Sequence, residues 1–146
     1  MNRERRYEPL PHTADLGVRV RGRDLPELFA NAAYGLSDNL VDLESVRPVE
    51  ERRIEAGGDD LEDLLVRWLG EVLFLFERDA FVACEFGVVV DCARRDAPST
   101  VRATLRGERV DPARHRLYSE IKAVTYHGLM VAEEPAGWRA EVIFDL

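Results

Sequence analysis

The sequence predicts an α+β domain in which two helices pack on a mostly antiparallel β-sheet. Apolar residues recur at helical spacing over residues 24–37, and again from residue 60 to residue 79. After residue 80 the pattern changes to consecutive strands, separated by turns that contain Asp, Pro and Gly. Early helices followed by a run of strands are typical of the α+β class.

The first half of the chain alternates strands with the two helices. A short strand over 7–11 precedes a strand over 16–21, in which apolar and polar residues alternate with period two. Asp24 is placed to cap the first helix, because its carboxylate can accept from free N–H groups at the helix start. Pro26 suits the first turn of that helix, where a missing N–H costs nothing.

The second helix is predicted to form the centre of the core. An edge-like strand over 49–56 leads to it, and Asp60 and Asp63 resemble a capping box with Asp in place of Glu. A wide apolar stripe then marks the face that packs inward. This stripe consists of Leu61, Leu64, Leu65, Trp68, Leu69, Val72, Leu73 and Phe76.

The second half of the chain is predicted to be all strands. Their predicted ranges are 81–92, 99–108, 120–132 and 137–145. No linker, repeat or low-complexity segment interrupts the sequence, and its 146 residues suit one domain over 1–146.

The composition narrows the classes of function. A net charge of −8 and a pI near 4.9 argue against autonomous nucleic-acid binding, which requires a basic face. No apolar run approaches the roughly 20 residues that cross a bilayer, and no apolar stretch follows the N-terminal basic residues as in a secretory signal. Cys84 and Cys92 lack metal-type spacing, so we expect reduced thiols and a cytoplasmic protein without a membrane partner.

The end of the sequence predicts a divalent-metal site. The final apolar strand runs directly into Asp145 and Leu146, so the α-carboxylate of Leu146 is expected beside the Asp145 carboxylate on ordered backbone. Two fixed anions this close repel each other unless a cation lies between them. Clustered carboxylate oxygens suit hard ions such as Ca²⁺ or Mg²⁺, with Mn²⁺ as a further candidate.

Two other acidic segments are weaker candidates for metal ligands. His12-Thr13-Ala14-Asp15 precedes the strand over 16–21, where Thr and Asp are also typical of an ordinary turn. In the functional interpretation Asp15 is a ligand, and His12 is a hydrogen-bonding partner of a ligand or an acid/base group. Asp60 lies in an acidic group that the dipole of the second helix stabilises in any case, so it is a lower-ranked ligand.

The basic residues single out Lys122. Of the 20 basic residues, 19 are Arg and one is Lys122. A lysine ammonium is a compact charge on a flexible stem, which the planar arginine fork does not copy. The alternatives are a solvated strand residue or a group that pairs with a carboxylate, contacts a phosphate or docks a partner. His115, between Arg114 and Arg116, is predicted to lie on the surface.

Taken together, several segments resemble the archease family, and the resemblance spans essentially the whole chain. The family implies a small α+β fold built on a strand–helix–strand–strand unit. It also implies a non-enzymatic protein cofactor that promotes guanylylation and repeated turnover of an RtcB-type RNA ligase in tRNA splicing and RNA repair. The segments that carry the resemblance are residues 12–18, 25–33, 60–69, 121–127 and 142–146.

The resemblance also implies roles for individual residues. Asp15, Asp145 and the terminal Leu146 match the divalent-metal site of the family, described with Ca²⁺. Lys122 matches the functional lysine of the family, and Asp60 or its neighbours match an acidic ligand near the second helix. RNA would then be reached only indirectly, through the ligase.

Two rival functions use the same residues. The carboxylates and Lys122 also suit a metal-dependent phosphoesterase that acts alone, although no convincing nucleophile–base pair accompanies them. The second rival is a chaperone-like module for an RNA-modifying enzyme, in which a metal is only structural.

Overall fold

The structure is a computed structural model that describes residues 6–11 and 15–146. These residues include two α-helices, one short 3₁₀ turn and eight strands, and every strand pair among them is antiparallel. The predicted α+β class is therefore confirmed. The helices are α1 (Leu25–Leu40) and α2 (Leu61–Asp79), and the 3₁₀ turn is Leu43–Ser45. The strands are β1 (Glu8–Pro9), β2 (Leu16–Gly22), β3 (Glu50–Gly58), β4 (Phe81–Asp91), β5 (Ser99–Arg109), β6 (Ala123–Val124), β7 (Met130–Glu134) and β8 (Gly137–Asp145).

The strands form two sheets. The larger has the order β1-β2-β8-β6, and β7 also pairs with β8. The smaller has the order β3-β5-β4. Strand β8 pairs with β2 on one side and with β6 and then β7 on the other, so it organises the larger sheet. The segment β3–α2–β4–β5 is the expected strand–helix–strand–strand unit.

Helix α1 begins after Asp24, its predicted N-cap, and extends beyond its predicted end at residue 37. The Asp24 carboxylate accepts a hydrogen bond from the backbone N–H of Glu27 at 2.9 Å. The helix continues to Leu40, three residues past the predicted end at residue 37. The reason is that Leu40 is itself a buried core residue, which makes another helical turn favourable.

Helix α2 lies at the centre of the core, as predicted. Trp68 is fully buried, and its indole N–H donates to the carbonyl oxygen of Phe29 at 2.9 Å, which links α2 to α1. The helix ends at Ala80, which adopts a left-handed conformation with φ 53°. Within the described residues, no helix combines the length and apolarity needed to cross a membrane.

The predicted strand over 120–132 is wrong as a single element. The chain forms β6, leaves the sheet in a turn and returns as β7, so both pieces pair with β8. Gly128 has φ +64°, a conformation that glycine adopts without a steric penalty, and the Leu129 N–H donates to the Tyr126 carbonyl oxygen at 3.2 Å. The alternating pattern continued through the turn and concealed it.

Candidate functional site

The pairing of β2 with β8 brings Asp15 and Asp145 to one edge of the larger sheet. Leu16 pairs with Phe144 in the register of these strands. Asp15 directly precedes Leu16 and Asp145 directly follows Phe144, so the two aspartates lie on neighbouring strands at the same end. Phe144 is fully buried, and successive side chains alternate across a strand, so Asp145 faces away from the core. Both aspartates are exposed.

Lys122 lies on the other side of β8 from Asp15. Ala123 pairs with Asp145 in the register of β6 and β8. The backbone N–H of Lys122 donates to the carbonyl oxygen of Asp145 at 2.7 Å. At the end of β8, Asp15 therefore lies on one side, next to β2, and the exposed Lys122 lies on the other side, next to β6. Leu146, the last residue of the sequence, is half exposed at this end.

Asp60 acts as the N-cap of α2, as one of its two predicted roles required. Its carboxylate accepts a hydrogen bond from the backbone N–H of Asp63 at 2.8 Å. The Asp63 carboxylate in turn accepts from the backbone N–H of Asp59, the residue before the cap, at 2.9 Å. The Asp60 half of the predicted capping box is therefore confirmed, whereas the Asp63 carboxylate binds the backbone N–H of the residue before the cap rather than that of Asp60. The role of Asp60 as a metal ligand stays a prediction.

A hydrogen bond that sequence reasoning missed joins the turn after β6 to α2. The Tyr126 hydroxyl donates to the Asp63 carboxylate at 2.6 Å. This bond, followed by the backbone contact from Asp59, lowers the pKa of the Asp63 carboxyl and so keeps it ionised. The same bond raises the pKa of the Tyr126 phenol, which stays protonated as the donor. No sequence signal identifies this pair, because its members are 63 positions apart.

The donor atoms fit a hard divalent ion, but the described side chains do not enclose one. Among residues 6–11 and 15–146, no three His, Cys, Asp or Glu side chains lie close enough together to hold a metal. Asp15 and Asp145 nevertheless offer only oxygen donors, and hard ions complete such partial sets with water or with oxygens of a partner. The ligand set therefore stays a prediction. His12, its proposed hydrogen-bonding partner, lies outside the described residues.

The surface position predicted for His115 is wrong. His115 is buried, and its Nδ1 accepts from the backbone N–H of Asp111 at 2.8 Å while Nε2 lies 3.0 Å from the Glu108 carboxylate. Burial by itself would raise the pKa of Glu108, but hydrogen bonds from Arg114, from the Arg47 backbone and from His115 lower it to about 2. The contact with the buried Glu108 carboxylate stabilises His115 in the interior. The flanking Arg114 and Arg116 favoured a surface position, and nothing in the local sequence indicates Glu108 as the partner.

A groove of about 770 Å³ lies elsewhere, between β2, α1 and β4. Arg19 and Arg21 line it, but Arg19 pairs with Glu141 at 2.9 Å and Arg21 with Glu8 at 3.0 Å. Acids of the same chain thus pair with both of these arginines. None of Asp15, Lys122 and Asp145 lines this groove, and all three are exposed residues at the end of β8 and its neighbouring strands.

Comparisons with known proteins agree with the fold. The solution structure of protein 1598 from Methanobacterium thermoautotrophicum has a TM-score of 0.83 and 34% identity, over 98% of this chain and 100% of that chain. The crystal structure from Thermotoga maritima of an archease, described as a "possible chaperone", has a TM-score of 0.62 over 95% of this chain and 96% of that chain. At 20% identity it supports the fold alone.

Sequence comparisons identify the family. A protein named archease from Methanopyrus kandleri is 41% identical over 96% of this chain and 99% of its own length. Another from Methanosarcina mazei is 37% identical over 97% of each chain. The model of the archease protein family matches residues 7–146. The chain therefore belongs to the archease family.

Proposed function

We propose that this protein is a non-enzymatic activator of an RtcB-type RNA ligase in tRNA splicing and RNA repair. It promotes guanylylation of the ligase and allows the ligase to turn over repeatedly. Family membership over residues 7–146 supports the assignment. The observation that carries it is the register of β2 and β8, which places Asp15 beside the end of β8 where Asp145 and Leu146 lie.

In this proposal Asp15, Asp145 and the carboxylate at Leu146 hold a divalent ion, Ca²⁺ or Mg²⁺, with Mn²⁺ as a further candidate. A bound ion supplies positive charge that polarises phosphoryl oxygens. Asp15 and Asp145 lie on neighbouring strands, and close carboxylates favour the binding of a cation because like charges repel one another. Asp60 is a weaker fourth ligand because one of its oxygens already caps α2.

Lys122 orients a carboxylate or a phosphate oxygen at the same edge. Its backbone is fixed to β8 through the hydrogen bond to Asp145, while its side chain is exposed and carries a mobile ammonium. His12, close in sequence to Asp15, is proposed to contact the same partner. These groups bind and position, and no nucleophile is assigned to this chain.

The charge of the chain supports a protein partner rather than direct RNA binding. With a net charge of −8 it is attracted to a basic surface, such as a cleft that binds RNA, and such attraction speeds association. RNA is then reached only through the ligase. Cys84 and Cys92 are free thiols, which agrees with the reducing cytoplasm as the place of action.

The direct test is a guanylylation assay of a purified RtcB-type ligase with GTP and Mn²⁺, with and without this protein. The expected result is faster formation of guanylylated ligase and several ligation events per enzyme. This protein alone should not hydrolyse generic phosphodiesters with Mg²⁺ or Mn²⁺. Phosphodiester hydrolysis without a partner would instead support the phosphoesterase.

A chaperone-like role is the second candidate, because the Thermotoga maritima protein of the same fold is described as a "possible chaperone". The two proposals separate in one experiment. A chaperone should protect the ligase, or a methyltransferase, from thermal aggregation without changing the initial rate of guanylylation. An activator should change that rate for ligase that is fully folded.

A further inference from the structure

The hydrogen bond between Tyr126 and Asp63 lies close to the candidate site without belonging to the set of groups assigned above. Tyr126 is the first residue of the turn that separates β6 from β7 and is followed closely by Gly128 with φ +64°. Thr125, just before it, is fixed to β8, because its backbone N–H and its hydroxyl both donate to the Ile143 carbonyl oxygen, at 3.1 and 2.9 Å. The β6 end of the turn is therefore attached both to the sheet, through Thr125, and to α2, through Tyr126.

The acceptor of this bond is held rigidly. The Asp63 carboxylate also accepts from the Arg67 guanidinium at 3.0 Å and from the Asp59 backbone at 2.9 Å. These two donors both bind one carboxylate oxygen, Oδ2, and the Tyr126 hydroxyl binds the other, Oδ1. A hydrogen bond from a neutral donor to an ionised acceptor is also among the stronger kinds in proteins.

Tyr126 is connected to Lys122 by one short segment. Lys122 and Tyr126 lie on either side of the two-residue strand β6, whose Ala123 and Val124 pair with Asp145 and Phe144 of β8. At the other end of this segment the Lys122 N–H donates to the Asp145 carbonyl oxygen at 2.7 Å. The 122–126 segment is therefore held on β8 at Lys122 and Thr125, and on α2 at Tyr126.

We propose that Tyr126 is a positioning residue, which holds the 122–126 segment against the N-terminus of α2 through Asp63 and thereby fixes Lys122 relative to Asp145. This inference rests on the proposed function for its effect on the ligase, but its structural part does not. More than half of the Tyr126 side chain is exposed, so its main contact with α2 is the hydrogen bond from its hydroxyl rather than packing of its ring.

The test is Tyr126→Phe, which removes only the hydroxyl and, at an exposed position, leaves the fold intact. Tyr118→Phe is the matched control. Tyr118 is likewise half exposed, and the Cζ atom of Arg116 lies 5.4 Å from the centroid of its ring. Hydrogen exchange of the Lys122 amide should become about tenfold faster in Tyr126→Phe and stay unchanged in Tyr118→Phe. Unchanged exchange in both variants overturns the proposal, whether or not the ligase responds.

Stimulation of the ligase gives the second measurement. Tyr126→Phe should reduce stimulation several-fold, and the double variant Tyr126→Phe/Lys122→Ala should be no worse than Lys122→Ala alone, because both changes act through Lys122. Additive losses, or normal stimulation by Tyr126→Phe while Lys122→Ala is defective, also overturn it. If the unaltered protein fails to stimulate any ligase, the proposed function fails, and hydrogen exchange still decides the positioning role.

Discussion

The backbone N–H of Lys122 donates a hydrogen bond to the carbonyl oxygen of Asp145 across 2.7 Å. The single lysine in the sequence is therefore attached to the end of the strand that also carries the proposed metal ligand. On the far side of the same strand, Leu16 pairs with Phe144 and brings Asp15 alongside. The end of β8 thus has a lysine on one side and an aspartate on the other.

Replacing Lys122 should remove stimulation of the ligase. In Lys122→Gln the side chain keeps much of its length but loses its charge, and we expect the initial rate of guanylylation to fall at least tenfold. Lys122→Arg should restore little of it, because a planar guanidinium cannot place its charge as an ammonium does. Thermal melting checks the fold, which should be unaffected because Lys122 is exposed. Full stimulation by Lys122→Gln contradicts a role for the ammonium.

Neutralising Asp145 should abolish stimulation at limiting metal while preserving the fold. Asp145→Asn removes one of the proposed anionic ligands, so titration of Ca²⁺ or Mn²⁺ by calorimetry should show at least tenfold weaker binding. Asp91→Asn is a matched control, since Asp91 is likewise the exposed last residue of a strand, in the smaller sheet. Equal metal binding by the two variants contradicts the proposed site.

Glu108 should contribute stability that depends on pH. Its folded pKa of about 2 lies below the ordinary value of 4.5, so the carboxylate stabilises the fold fully above about pH 4.5. This stabilisation is lost as the pH falls from 4.5 toward 2. Glu108→Gln should therefore lower the free energy of unfolding at pH 7 by about 2 kcal/mol, and by much less at pH 3. Urea unfolding at both pH values measures the difference.

The control for this prediction is Glu55→Gln, an exposed position on β3, which should change stability little at either pH. A constant loss of stability for Glu108→Gln at pH 7 and pH 3 would show that its ionisation is not the source. In that case the shape of the side chain, rather than its charge, would explain the cost.

Ala80→Gly should stabilise the protein. Ala80 ends α2 with φ 53° and is the one non-glycine residue with positive φ among those the structure describes. Glycine adopts this conformation without the steric cost of a Cβ, so we expect a gain of about 1 kcal/mol and a rise in Tm of roughly 3 °C. Ala93→Gly, on an exposed loop, is the control and should give no gain. A lower Tm for Ala80→Gly contradicts the assignment.

The regular elements could be predicted because local patterns determine them. The apolar stripe of α2 and the caps at Asp24 and Asp60 each lie within a few residues of sequence, and the structure confirms them. The division of the strands into two sheets was not predicted, because strand alternation shows which face is buried and not which strand is the neighbour. Pairing depends on contacts between distant parts of the chain.

The parts that were missed have long-range causes. Gly128 breaks the strand over 120–132, but a single glycine is also compatible with a bulge inside a strand. Tyr126 finds Asp63 on a different element, and the burial of His115 depends on a carboxylate that the folded chain encloses. In the candidate site, the residues could be named from the sequence by family resemblance, whereas their placement around β8 required the fold.

Strand β8 pairs with β2 on one side and with β6 and β7 on the other, and this position affects how the chain folds during its synthesis on the ribosome. The smaller sheet and α2 come from a continuous stretch and can assemble while translation continues. The larger sheet must wait, because partners such as Arg19 and Glu141 are 122 positions apart. A nascent chain stalled before residue 137 would expose the unpaired side of β2, and so becomes a target for cellular quality control until synthesis resumes.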